Sequence, residues 1–342
     1  MSRKNSNVPK KTHKFLFNKL KDKKISQIYN QFEKNFELKE DFIVAVSGGP
    51  DSLALSFLTK IYSIKNSLNI KYFIVDHKLR QNSLNETIFV KNLLKKFSIK
   101  ISILNWLGKK PKSNIQSIAR TKRYNLLIKE AKKLKVKNIL LGHHKDDLYE
   151  NFFIRIVRGS GLKGLVSFDK KSQIDKINLV RPLLEFGKED LIYLSKKIFQ
   201  TYVEDPSNKD DKFKRVKIRN FIKNLQLEGL DFNKFNLTIK NLKLADNSID
   251  FFIDENIKNN STFLNNSKSI ILNNEFFNYP EEVKFRSFSK IIKIIGRKYY
   301  STRGKKIDKV LELINNKSTF KTTLGNCIIK KVNQSIIVTK EQ

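Results

Sequence analysis

The sequence predicts an α/β fold, a mostly parallel doubly wound sheet followed by a smaller, largely helical α+β module at the C-terminus. Three observations carry that expectation. Between residue 42 and about residue 160, short apolar β-rich runs alternate with helical stretches, the pattern of βαβ units covered on both faces. Each chemistry-bearing motif follows the end of one of those runs, where open parallel sheets bind ligands. After about Leu184 the rhythm changes to capped helices and polar loops, and the chain closes on paired β runs.

In order, "FIVAV" (42–46) leads to a helix from about Asp51 to Ile64, and "YFIVDH" (72–77) to one from Glu86 to Phe97. "ISILNW" (101–106) leads to an amphipathic stretch from Asn114 to Leu134, and "NILLGH" (138–143) to a helix from about Asp146 to Val157. "GKEDLIYLSKKIF" (187–199) reads as a capped helix, "VEDPSNKDDKFKR" (203–215) as a polar loop, and "IRNFIKNL" (218–225) as the start of another helix. Helices follow around 233–258 and 280–315, then a terminal β pair in "TFKTTLGNCIIKKV" (319–332) and "SIIVTK" (335–340). The Asn/Lys-rich "NIKNNSTFLNNSKS" (256–269) reads as a loop between elements. The expected organisation is a basic N-terminal extension (1–40), a nucleotide domain (41–225) and a substrate module (226–342).

The 342 residues hold 69 Lys and Arg against 33 Asp and Glu, a net charge of +36. Such a chain is expected to bind polyanions by displacing counterions from phosphates. At 39% hydrophobic residues it can build real cores, which excludes a disordered chain. No apolar run reaches the roughly 18 residues of a membrane span. The N-terminus has no apolar stretch of signal-peptide length and reads as a frayed basic arm, so the expected location is cytoplasmic. A single cysteine, Cys327, excludes an internal disulfide, a paired-cysteine metal knuckle and a two-cysteine sulfur relay.

The central motif is "SGGPDS" (47–52), where the first strand runs into a helix. Gly48 and Gly49 allow backbone conformations and close approaches that a Cβ would block. The following helix aims its free N–H groups and positive dipole end into the turn. Hydroxyls at Ser47 and Ser52 add donors, and together with Pro50 these residues form an anion nest for phosphate. No lysine precedes Ser52, so this is not a loop built for γ-phosphoryl transfer. Asp51 would repel bare phosphate but accommodates Mg²⁺ between them, which suits cleavage between the α- and β-phosphates of ATP.

In "LGHHKDDLYEN" (141–151), Asp147 and Glu150 lie three apart and share a helix face. Alone they are ordinary dipole partners; beside a phosphate site, with His143, they suit a cationic substrate or a metal. Arg120 and Arg123 share one face of the helix in "NIQSIARTKRY" (114–124). The glycines of "RIVRGSGLKGL" (155–165), with Arg158 and Lys163, read as a basic loop that covers ATP or touches RNA. His77, ending a strand, is placed to line an adenine or α-phosphate pocket.

The "SGGPDS" turn resembles that of the PP-loop ATP pyrophosphatases. With "VDHKLR" (75–80), "NIQSIARTKRY", "LGHHKDDLYENFFIRIVRGSGLKGL" (141–165), "RPLL" (181–184) and "YVEDPSNKDDKFKRVKIRNFI" (202–222) in this order, residues 41 to about 225 resemble the tRNA(Ile)-lysidine synthase family. Beyond 226 the likeness is faint except in "LGNCIIKKVNQSIIVTK", and the chain is expected to be a short form of that family. The resemblance implies that ATP, with Mg²⁺, adenylates the C2 oxygen of the wobble cytidine in a CAU anticodon of tRNA(Ile). The ε-amine of free L-lysine then displaces AMP. It implies Asp51 and Asp147 at the metal, and Asp147 and Glu150 where lysine is received. It places Arg123 at substrate or leaving phosphate, and Arg158, Lys163 and Arg219 toward RNA. The proton acceptor is left open among His143, Asp147 and Glu150, and a homodimer is left open too. Leu148, Asn151, Tyr202 and Lys223 depart from the residues usual in the family. A PP-loop tRNA thiolase and a non-catalytic basic RNA-binding protein are the rival readings.

Overall fold

The computed structural model describes residues 10–79, 82–108, 111, 113, 115–204, 214–264, 268–297 and 302–341. Most of the expected loop 203–215, together with Arg80 and Asn114 of the quoted motifs, lies outside the described residues. The chain divides into two compact units, residues 1–230 and 231–342.

The first unit opens with helices α1 (Lys10–Asn18) and α2 (Lys23–Asn35). The alternation then gives β1 (Ile43–Val46), α3 (Pro50–Lys65), β2 (Lys71–Asp76), α4 (Ser83–Lys95), β3 (Ile101–Asn105), α5 (Ile115–Lys133), β4 (Asn138–Leu141) and α6 (Lys145–Ile156). A short helix α7 (Leu162–Leu165), a hairpin of β5 (Lys171–Ile174) and β6 (Ile177–Val180), α8 (Lys188–Phe199) and α9 (Lys214–Leu227) complete it. The sheet order is β3-β2-β1-β4-β6-β5, parallel throughout except for the antiparallel edge strand β5. Strand β1 is central because its side chains feed two cores by strand alternation: Val44 and Val46 enter one, Ile43 the other. Helix α3 is buried along most of its length, with Leu53, Leu55, Phe57, Leu58 and Ile61 fully covered and Ser56 and Thr59 buried among them.

The N-terminal segment differs from a frayed arm. Ile25, Ile28, Tyr29 and Phe32 repeat at helical spacing on α2 and, with Leu16, join the core that contains α3. Asp22 caps α2 by accepting from the Ile25 N–H at 3.0 Å. Lys23, Lys24 and Lys34 of α2 are exposed.

The second unit contains α10 (Phe232–Asn260), β7 (Ser261–Leu264), β8 (Ser269–Leu272), α11 (Glu281–Ile295), α12 (Gly304–Asn316), β9 (Phe320–Leu324), β10 (Cys327–Val332) and β11 (Ser335–Lys340). They form an antiparallel sheet ordered β7-β8-β11-β10-β9, whose core gathers Ile270, Phe288, Ile291, Ile329 and Val338. The stretch 256–269 is not simply a loop: Ser261–Leu264 pairs with β8, and its Asn-rich start is the last turn of α10. Backbone pairing along an edge strand tolerates the polar composition that suggested a loop. Cys327 is fully buried in this sheet.

Candidate active site

The site forms at the carboxyl ends of β1, β2 and β4. Gly48 takes φ +87°, and a Cβ there would meet Val90 Cγ2 at 2.7 Å and Val203 Cγ2 at 3.3 Å. The Gly48 carbonyl also accepts from the Val203 N–H at 3.0 Å, so the turn is held at both conformation and contact. Ser52 Oγ sits inside the turn, accepting from the backbone N–H of Ser47 and of Gly48, both at 3.1 Å, and donating to the Gly49 carbonyl at 3.0 Å. The Ser52 hydroxyl is thus engaged inside the turn, and the hydroxyl of the exposed Ser47 donates to it at 3.2 Å. Gly49 caps α3 with Pro50 in its first turn, leaving Asp51 at the helix start. Gly48→Ala is expected to raise the Kd for ATP at least about tenfold with the fold retained, since left-handed strain and the Val90 clash fall on the turn alone. Equilibrium nucleotide binding beside a circular dichroism melt checks it.

Strand β4 runs parallel to β1, so the segment after it arrives beside the same turn. Gly142 makes that possible: a Cβ there would lie 3.1 Å from the Ser52 backbone nitrogen and 3.2 Å from the Asp51 carbonyl carbon. Immediately beyond, His144 caps α6, its N–H donating to Asp147 Oδ2 at 3.1 Å. His144 Nε2 stands 3.8 Å from Asp51 Oδ2 and 3.5 Å from Asp147 Oδ2, while Nδ1 is 3.5 Å from Asp146 Oδ2. Its backbone bridges in parallel to Leu183, which ties "RPLL" to the site.

These contacts set the charges. Burial works against a proton on His144, but Asp146, Asp147 and Asp51 outweigh it and raise its pKa. Burial raises the Asp51 carboxyl, with neighbouring Asp147 adding to the shift and His144 opposing it. Burial would raise Asp147 too, yet His144 and Arg215 hold it below the ordinary carboxylate range. Asp51 Oδ1 is buried without a hydrogen-bond partner, an acceptor with capacity to spare. Among the described residues no three side chains could cage a metal by themselves. Asp51 and Asp147 fit instead the kind of site in which Mg²⁺ takes one or two carboxylates and substrate phosphates.

Helix α9 supplies cations to α6. Arg215 donates from Nε to Glu150 at 2.7 Å and from a terminal nitrogen to Asp147 at 3.0 Å. Arg219 donates from Nε to the second Glu150 oxygen at 2.5 Å. Asp147 and Glu150, spaced for one helix face, thus meet Arg215 and Arg219, spaced for another. Arg219, expected toward RNA, has its guanidinium on Glu150.

The other wall is aromatic and cationic. His143 packs edge-on against Phe168 with centroids 5.3 Å apart, and Arg181 lies over the same ring at 4.9 Å. Burial takes the His143 pKa well below its ordinary value, with Arg120, Arg181 and Arg123 adding to the effect and Asp147 opposing it. Arg120 and Arg123 flank the Tyr124 ring at 5.1 and 5.6 Å. His77 meets Trp106 edge-on at 6.4 Å, and burial with nearby Arg123 brings its pKa down to about 4. Because the unfolded chain binds that proton first, His77 makes stability fall as pH drops from about 6.5 toward about 4. His77→Gln is expected to flatten urea-unfolding stability over that window, measured at half-unit pH intervals. Arg158 and Lys163 lie on the exposed stretch after α6.

A family model described as a PP-loop domain matches residues 19–226. The tRNA(Ile)-lysidine synthase of Wolbachia pipientis is 34% identical over 301 residues, spanning 87% of this chain and 70% of the relative. The chain belongs to the tRNA(Ile)-lysidine synthase family. The Rickettsia akari lysidine synthase is 29% identical over 92% of this chain and 74% of its own, and the Rhodopseudomonas palustris enzyme is 38% identical over 55% of each. Among solved structures, the U34-tRNA thiolase of Methanococcus maripaludis superposes with a TM-score of 0.53 at 17% identity, over 60% of this chain and 74% of that one. That likeness is one of fold.

Within this lysidine synthase family member, sequence reasoning missed Gly142, His144, Arg181 and Arg215. The second histidine of "LGHH" and the 215/219 helical spacing were available signals. Of the departures from family usage, Asn151 accepts from Arg155 Nε at 2.7 Å and so has a local partner.

Proposed function

We propose that the chain ligates free lysine to C2 of the wobble cytidine of a CAU-anticodon tRNA(Ile), through an adenylated cytidine. The observation that carries this reading is a single cluster of side chains at the strand ends. In it the phosphate turn and Asp51 meet, through His144, an acid pair and a neutral histidine.

The turn, with α3 behind it, receives the phosphates. The cytidine O2 attacks the α-phosphorus of ATP, the α–β bridge breaks, and pyrophosphate leaves. Mg²⁺, held by Asp51 and Asp147 together with phosphate oxygens, would supply charge neutralisation for that departure. Adenylation matters because a pyrimidine carbonyl oxygen leaves poorly, and leaves readily as AMP. The ε-nitrogen of lysine then bonds to C2, the C2–O bond breaks, and AMP carries the oxygen away.

At pH 7 only on the order of one lysine side chain in a thousand is neutral, so the site must take its proton. His144 and Arg215 hold Asp147 as a carboxylate, and Asp147 with Glu150 beside it attracts the ammonium. His144 is turned toward charge by its three carboxylates and is a poor acceptor. His143, whose buried Nδ1 lacks a hydrogen-bond partner and whose protonated form the Asp147 carboxylate favours, is the acceptor in this reading. Arg123 faces the departing phosphate group, Arg158 and Lys163 meet the RNA backbone beside the cluster, and the second unit holds the tRNA body. No described helix is long and apolar enough to cross a membrane; a cytoplasmic enzyme fits the partners. Cys327, buried in a sheet, lends nothing to sulfur chemistry.

The test is a pair of assays. ATP–pyrophosphate exchange should require tRNA(Ile) but not lysine, and AMP release should require both. A non-catalytic binder gives neither, and lysine-independent AMP release would remove the ligation step.

A further inference from the structure

The proposed chemistry leaves one arrangement unexplained: a buried arginine whose side chain hydrogen-bonds to neutral groups, with the carboxylates of Asp169 and Asp147 acting on it only through charge. Arg181 is 6% exposed, and its side chain donates to the Asp169 carbonyl at 2.7 Å and the Ser172 hydroxyl at 3.1 Å, both neutral. Its backbone N–H donates to the Lys170 carbonyl at 2.8 Å, while Nε is buried without a partner. Burial works against the charge of Arg181 more than the nearby carboxylates support it, and its pKa is lowered, so a methionine or leucine would fill such a place more cheaply. Packing alone does not call for a cation here.

The contacts of Arg181 converge on one short segment. Asp169, Lys170 and Ser172 directly follow Phe168, and the guanidinium lies over the Phe168 ring. Phe168 is buried in turn, and its ring meets His143. The chain of contact runs from Arg181, just past β6, through residues 168–172, to the imidazole just past β4. Charged groups face His143 from two further elements: Asp147 on α6, and Arg120 and Arg123 on α5.

We propose that Phe168 and Arg181 are positioning residues for His143, a ring and a guanidinium stacked behind the imidazole that fix it for the proton-accepting step. The inference rests on the ligation chemistry proposed above. A fixed imidazole is what that step needs, since a displacement of about 1 Å in an acceptor can cost about a hundredfold in rate. Arg181 touches no reacting atom in this account, and its effect passes through Phe168.

The experiment compares the full chain with Phe168→Leu, Arg181→Met and Arg181→Lys in the two partial reactions. Neither tRNA-dependent ATP–pyrophosphate exchange nor tRNA affinity uses the His143 proton transfer, so both report whether a variant is folded. Expected are exchange within about twofold of the unsubstituted chain in all three, and a lysine-dependent kcat lower by about tenfold to a hundredfold in Phe168→Leu and Arg181→Met. The KM for lysine should stay within about twofold, and Arg181→Lys should recover most of the rate, because the positive charge behind the ring is restored. Parallel loss of both reactions would reduce the pair to structural packing, and unchanged lysine-dependent turnover would remove the positioning role; either overturns the inference alone. If the unsubstituted chain makes no lysine-dependent product while exchange persists, the ligation reading falls and this inference with it.

Discussion

Replacing Asp51 with asparagine is expected to lower ATP turnover by at least about a hundredfold while leaving the Kd for tRNA within about twofold. Asparagine keeps the shape of the side chain and removes its charge. What is lost is an oxygen that is buried, has no hydrogen-bond partner, and stands at the first turn of the helix behind the phosphate turn. No local structure depends on that oxygen, so the effect falls on ligand chemistry. His144 still has Asp146 and Asp147 within 3.5 Å and remains held. The basic residues assigned to RNA are untouched. Pyrophosphate release and filter binding of tRNA, measured on one preparation, separate the two halves. Full turnover in this variant would remove Asp51 from metal and phosphate handling.

The second large effect is expected from Glu150→Gln. The Glu150 side chain is 4% exposed and takes hydrogen bonds from two arginines on α9. Breaking a fully buried ion pair from one side costs roughly 3–5 kcal/mol. Arg215 and Arg219 keep 39% and 25% of their side chains exposed, so solvent recovers part of that cost. A destabilisation of about 2 kcal/mol is the expected result, a fall in Tm of roughly 4–8 °C for a unit of this size. The same change removes a carboxylate that attracts the lysine ammonium, so the KM for lysine should rise about tenfold with the KM for ATP little changed. A thermal melt with lysine and ATP saturation curves checks both. An unchanged melt would mean that α9 is not anchored through Glu150.

The parallel sheet was legible because apolar runs alternate with helical stretches and motifs fall at strand ends. The phosphate turn was legible because glycines, a proline and an acid follow one another in six residues. What stayed hidden were relations between elements. Arg215 and Glu150 are 65 residues apart, and nothing in either helix says that one face meets the other. His144 and Asp51 belong to different βαβ units, and only parallel pairing of β1 with β4, with Gly142 at the join, brings them together. Composition also misled. Lysines concealed the helical repeat of Ile25, Ile28, Tyr29 and Phe32, and asparagines concealed a strand at Ser261–Leu264. His143 attracted attention for its place beside the acids, yet its neighbour His144 is the one that bridges them.

The most direct measurement is the mass of the wobble nucleoside from tRNA(Ile) after incubation with the chain, ATP and isotope-labelled lysine. Cytidine heavier by one labelled lysine less one water, formed only when ATP is present, is the expected product. Unmodified cytidine, or a mass gain without the label, would contradict the account.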